Sequence, residues 1–233
     1  MKRTPFIMIL LTIMAVALAG CGPKSRYEPI PRGEFAPAVY EEQPKTIVIL
    51  PPMNMTTAAD APVYYSTTMY APLALRGYYV FPYDVTTRIL MDNGFVSTEE
   101  LLSNSLAPFR EYFGADAILY STIHKWDLSY AVLAATLSVD IECTLRSTKT
   151  EKDLWNIRRN IVIDLTGRSS SGNPLVDLIA QAIATSIAAA ASDYVPYAYQ
   201  LMSAIAMSLP SGPYLPDYGQ DHGKPSGLWR KVE

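Results

Sequence analysis

The chain predicts an α/β fold with a mixed β-sheet, and three features of its 233 residues carry that prediction. Thr46-Ile47-Val48-Ile49-Leu50 is an unbroken aliphatic run closed by Pro51-Pro52, the composition of a strand buried on both faces. A helical segment and a second short strand, Tyr78-Tyr79-Val80-Phe81, follow it, which implies a right-handed parallel crossover. From Ala131 to Arg146, and again from Trp155 to Leu165, apolar and polar residues alternate, which implies a long antiparallel hairpin.

The first helix opens near Pro62, since a proline fits the first turn, and runs through Tyr65, Met69 and Leu73 to a stop at Gly77. Pro82 ends the second strand. Asp84 caps a helix that stops at Asn93-Gly94, and Ser97-Thr98-Glu99-Glu100 starts another that runs to Phe113-Gly114. Ala117 to Ile123 is strand-like. In the hairpin Leu133, Leu137, Val139, Ile141, Cys143 and Leu145 form the inward phase, Ser147 to Asp153 is the solvated turn, and Trp155, Ile157, Ile161 and Ile163 restart the period. Arg159 interrupts that apolar phase, which places it near a strand edge with its stem packed. Asn173-Pro174 caps a small-residue helix reaching Ser192, whose stripe around Ile183 and Ile187 suits close packing or self-association. A final helix spans Ala198 to Ser208.

Catalytic chemistry has little to stand on. His124 and His222 are the only histidines; His124 and Asp127 lie three apart near a strand end without a third ligand, and His222 sits in a solvated Gly/Pro tail. There is no nucleophile-elbow Gly-x-Ser-x-Gly and no glycine-rich phosphate loop. No catalytic, cofactor-binding or metal-binding residue is therefore predicted. Binding is better represented: Tyr64-Tyr65, Tyr70, Tyr78-Tyr79, Tyr83, Tyr194, Tyr197 and Tyr199 supply interface-type side chains.

The N-terminus gives the chain its address. Lys2-Arg3 precedes the apolar run Ile7 to Ala17, and Leu18-Ala19-Gly20-Cys21 at its end resembles a bacterial lipobox. The resemblance implies peptidase recognition through Leu18, Ala19 and Gly20, and lipidation of Cys21 as the membrane anchor. Gly22 stands where an aspartate retains enterobacterial lipoproteins on the inner membrane, which implies the outer membrane with the body facing the periplasm. Removal of Lys2 and Arg3 takes the formal charge from −3 to −5, so the body has no electrostatic attraction for nucleic acid. Cys143 is then the one remaining cysteine, and no internal disulfide forms. Residues 1–20 are the expected signal, 21–44 the lipidated cysteine and flexible tether, 45–210 the α/β domain and 211–233 an irregular tail.

The strand ending in Leu50-Pro51-Pro52, the passage Arg76-Gly77-Tyr78-Tyr79-Val80-Phe81-Pro82 and the strand after Gly114-Ala115-Asp116-Ala117 together resemble the outer-membrane lipoprotein family of genome-derived neisserial antigen type. The resemblance covers nearly the whole mature chain. It implies a fold similar to the TolB amino-terminal domain and the periplasmic domain of the curli secretion channel, with helices mainly on one side of a mixed sheet. It also implies a noncatalytic role among envelope protein partners, in a curli-channel-like assembly or as a homo-oligomer; activation of a peptidoglycan synthase is the alternative, and hydrolysis a distant third.

Overall fold

A computed structural model describes residues 27–131, 134–164 and 195–232. The elements in chain order are β1 (Tyr27–Pro31), α1 (Arg32–Phe35), α2 (Pro37–Glu42), β2 (Thr46–Ile49), β3 (Met53–Asn54), α3 (Ala61–Leu75), β4 (Tyr79–Val80), α4 (Tyr83–Asp92), α5 (Thr98–Leu102), α6 (Ala107–Phe113), β5 (Ala117–Ala131), β6 (Ala134–Ser147), β7 (Asp153–Asp164), α7 (Val195–Ala206) and β8 (Pro225–Lys231). The chain divides into a large unit, residues 30–228, and a small one made of residues 1–29 and 229–233.

The large unit is built on a mixed sheet of order β4-β2-β5-β6-β7, with β3 alongside β5. β2 is parallel to both neighbours, pairing Ile47 with Val80 and Ile49 with Leu119. β5, β6 and β7 are antiparallel, with Leu119 opposite Leu145 and Cys143 opposite Ile157. Because side chains alternate across a strand, Ile47, Ile49, Leu119, Ile141, Cys143, Leu145, Trp155 and Ile157 share one core with buried residues of α2, α3 and α7. Val48, Leu50 and Ile118 point the other way, onto Leu106 and Phe109. On β6 and β7 that second face is polar, with Glu142, Asn156 and Arg158, so α4 to α6 serve only the parallel end. The helices thus lie mainly on one side of a mixed sheet, as the resemblance implies.

Three expectations change in detail. The antiparallel part is a three-stranded meander, because β5 continues to Ala131. A bulge between Ile123 and Lys125 shifts the phase, so that Ile123 and Trp126 both turn inward; a strict period of two is lost there. The helix expected from Ser97 to Phe113 is two, since Ser103, Asn104 and Ser105 break it and Pro108 restarts it.

Within the segment expected to be tether, Tyr27–Pro31 is a strand and Arg32, Ala36 and Val39 are buried; Pro37 opens α2 instead of extending a linker. The expected tail begins with Ser211 and Gly212 buried and ends in β8. At Gly212 a Cβ would lie 2.3 Å from the Gly77 carbonyl oxygen, so the two glycines allow backbones to touch. The helix expected between Asn173 and Ser192 lies outside the described residues.

Candidate functional site

Between α4, the 93–97 loop, α5 and α6 lies an apolar groove of about 450 Å³. Local chemistry sets its walls. Gly94, at φ +86°, ends α4 where Phe95 N–H donates to the Leu90 carbonyl, and the Asn93 side chain donates to the Ile89 carbonyl at 2.8 Å. Ser97 caps α5 by accepting from Glu100 N–H at 3.1 Å. Leu90, Leu101, Phe109 and Phe113 line the floor and also pack against Val48, Leu50 and Ile118 of the sheet. The rim leaves Ile89, Val96 and Tyr112 in solvent, the last two nearly four-fifths exposed.

The groove is tied to the hairpin turn. Glu151, at φ +58°, accepts from Leu106 N–H at 2.9 Å and from the Ser105 hydroxyl at 2.8 Å, just ahead of α6. The Leu106 N–H holds its carboxyl below the ordinary glutamate range. The turn is exposed from Lys149 to Asp153, as expected, and Glu151 makes it a brace for α6 as well. Arg146 supports it with an ion pair to Asp153 and a bond to the Tyr120 hydroxyl at 2.9 Å.

A second polar cluster centres on Asp221, which is fully buried. Its carboxylate accepts from Arg32 at 3.0 Å, from Ser211 N–H at 2.9 Å and from the Tyr40 hydroxyl at 2.9 Å, with Arg76 at 3.5 Å. Burial alone would raise its pKa, yet the bonds from Ser211, Tyr40 and Arg32 outweigh that and hold it below the ordinary range. Arg32 and Arg76 also donate to the Met207 and Leu209 carbonyls. One carboxylate thus ties the start of the large unit, the end of α3 and the chain after α7. Both carboxylate oxygens are engaged by groups from distant parts of the chain, which is the chemistry of a staple.

The predicted residues distribute unevenly. Leu18, Ala19, Gly20, Cys21 and Gly22 lie outside the described residues. His124 faces Glu142 at 3.3 Å, while Asp127 sits opposite Ser138, so the two do not meet. Asp140 and Arg158 form a two-pronged pair beside them, at 2.9 and 2.7 Å. His222 is exposed, but its ring stacks on Tyr40 with centroids 3.7 Å apart. Arg159 is on the edge strand β7 and donates to the Gly227 carbonyl at 2.8 Å. Cys143 is buried, its thiol pushed up to about 12 by desolvation, which makes it a packing residue.

Several of the tyrosines named for binding belong to the core. Tyr65 shares a 2.5 Å hydrogen bond with Ser121, Tyr78 donates to the Pro210 carbonyl, and Tyr64 stacks on Trp126. Tyr70, Tyr79 and Tyr199 are exposed. The groove was not anticipated, although the density of Ile89, Leu90, Phe95, Val96, Leu101, Phe109, Tyr112 and Phe113 exceeds what two amphipathic helices need for one buried stripe. Among the described residues, no helix is long and apolar enough to cross a membrane.

A solved structure of lipoprotein GNA1162 from Neisseria meningitidis resembles the chain with a TM-score of 0.50 at 27% identity, covering 63% of this chain and all of that one. A curated lipoprotein of Neisseria meningitidis serogroup B, NMB1124/NMB1162, is 28% identical over 174 residues, 75% of this chain and 78% of its own length. A PelC dodecamer from Paraburkholderia phytofirmans gives a TM-score of 0.38 at 13% identity over 66% of this chain and 87% of its own. The family model for GNA1162-like lipoproteins matches residues 36–210, through the sheet, the groove and the segment up to Pro210. The chain belongs to the GNA1162-like lipoprotein family.

Proposed function

We propose that the chain is a noncatalytic lipoprotein of the outer membrane, anchored through Cys21, that presents its periplasmic domain to envelope protein partners through the α4–α6 groove. The observation that carries this reading is the groove itself. Fully desolvated aromatic and aliphatic side chains are where binding energy concentrates at protein interfaces, and Val96 and Tyr112 stand exposed at the rim of such a pocket. The lipobox supplies the anchor, and the buried Asp221 cluster supplies a rigid body to present. The alternative is activation of a peptidoglycan synthase, reached on a tether of which residues 27–44 carry strand and helix.

Photo-crosslinkers placed at Val96 and Tyr112 in intact cells should capture a defined envelope protein. The double variant Val96→Glu, Tyr112→Glu should lose it while keeping its thermal stability, because exposed substitutions are usually within about 0.5 kcal/mol of neutral. Crosslinking and a mild-detergent pull-down that both returned only monomer would end the docking idea.

A further inference from the structure

The ribbon formed by β1 and β8 carries a chemistry different from the rest of the surface. Their chain directions oppose, since Arg32 N–H donates to the Lys224 carbonyl and Gly33 N–H to the His222 carbonyl just inside it. At its outer end, in the small unit, Glu28 and Arg230 form an ion pair, which places both on one face. Strand alternation then assigns Tyr27, Pro29, Trp229 and Lys231 to the other face, and all four are exposed. Tyr27 and Trp229 are each about half exposed, and Val232 follows them.

Position makes this face informative. Five residues separate Cys21 from Tyr27, among them Lys24 and Arg26. However that segment is arranged, six Cα-to-Cα steps span at most about 22 Å, so a lipidated Cys21 keeps the ribbon beside the headgroup layer. Tyrosine and tryptophan favour that layer, where an apolar ring and a polar tip are both satisfied, and lysine and arginine complement anionic headgroups.

We propose that the Tyr27, Trp229 and Lys231 face of the β1–β8 ribbon is a membrane contact that seats on a phospholipid interface beside the lipidated cysteine. This rests on Cys21 being the anchor. It gives the lipoprotein a second attachment at a fixed point of the chain, so that the anchored end is oriented on the bilayer instead of swinging on a free leash.

Trp229 provides the readout, because the other two tryptophans, Trp126 and Trp155, are buried in the core. The full lipidated protein is reconstituted into vesicles of phosphatidylethanolamine with a minor fraction of phosphatidylglycerol, with or without bromine on the acyl carbons nearest the headgroups. Flotation reads the anchor, and tryptophan quenching reads the ribbon. Floated wild type should lose intensity in the brominated vesicles, and Trp229→Phe should float equally and lose the quenching. Wild type that floats but emits equally in both vesicles overturns the membrane contact and leaves the anchor standing. Protein that does not float, or a Cys21→Ser variant that floats as well as wild type, overturns the anchor and the inference with it.

Discussion

Asp221 joins three distant segments of the large unit. It sits without solvent contact between Arg32 and Arg76, and removing one partner of a buried ion pair leaves charge uncompensated. Asp221→Asn should therefore cost about 3–5 kcal/mol in chemical denaturation, and a cost below about 1 kcal/mol would contradict the staple. The pH dependence has a definite sign. The folded-state pKa is depressed, so the unfolded chain binds the proton more readily. The contribution is complete above the ordinary aspartate value of about 4 and is lost as pH falls through the lower folded-state value. The stability gap between wild type and Asp221→Asn should accordingly be widest near neutrality and narrow in acid. Cys143 supplies a second prediction at this scale: with its thiol pushed up to about 12 and buried, alkylation should follow global unfolding and be negligible in the native state.

At the scale of elements, β2 and the inward phase of β6 were readable because each is a long, uniform pattern: Thr46 to Leu50, and Leu137, Val139, Ile141, Cys143 and Leu145, are buried or nearly so. What local pattern did not carry was tertiary. The bulge at His124 brings Ile123 and Trp126 to one face, where a strict period of two would separate them, and the three polar residues Ser103 to Ser105 read as a helix surface until Glu151 arrives from the hairpin turn to cap the next helix. Asp221 and Arg32 are separated by 189 positions in the sequence, so no spacing rule announces them. The groove depends on α5 keeping its angle, and that helix is only five residues long. Ser97→Ala removes its cap, which should lower stability by about 1 kcal/mol. It should also weaken partner capture at Val96 more than a control cap mutation elsewhere, measured by the same photo-crosslinking.

Across the whole molecule, the fold and the sequence divide the work between them. The mixed sheet with its principal helical layer belongs to the GNA1162-like family and supplies a firm body. On the proposed reading, the groove would offer that body to a partner, and the anchored N-terminal segment would set where the encounter takes place. Eight residues separate Cys21 from Ile30, where the large unit begins, so nine Cα-to-Cα steps would allow a lipidated Cys21 a reach of roughly 30 Å to it. The account stands on Cys21 as anchor, and fractionation of cells carrying Cys21→Ser tests it most directly. The variant should move from the outer-membrane fraction to the soluble periplasm with its melting temperature unchanged; an intact variant that stays with the membrane would contradict it.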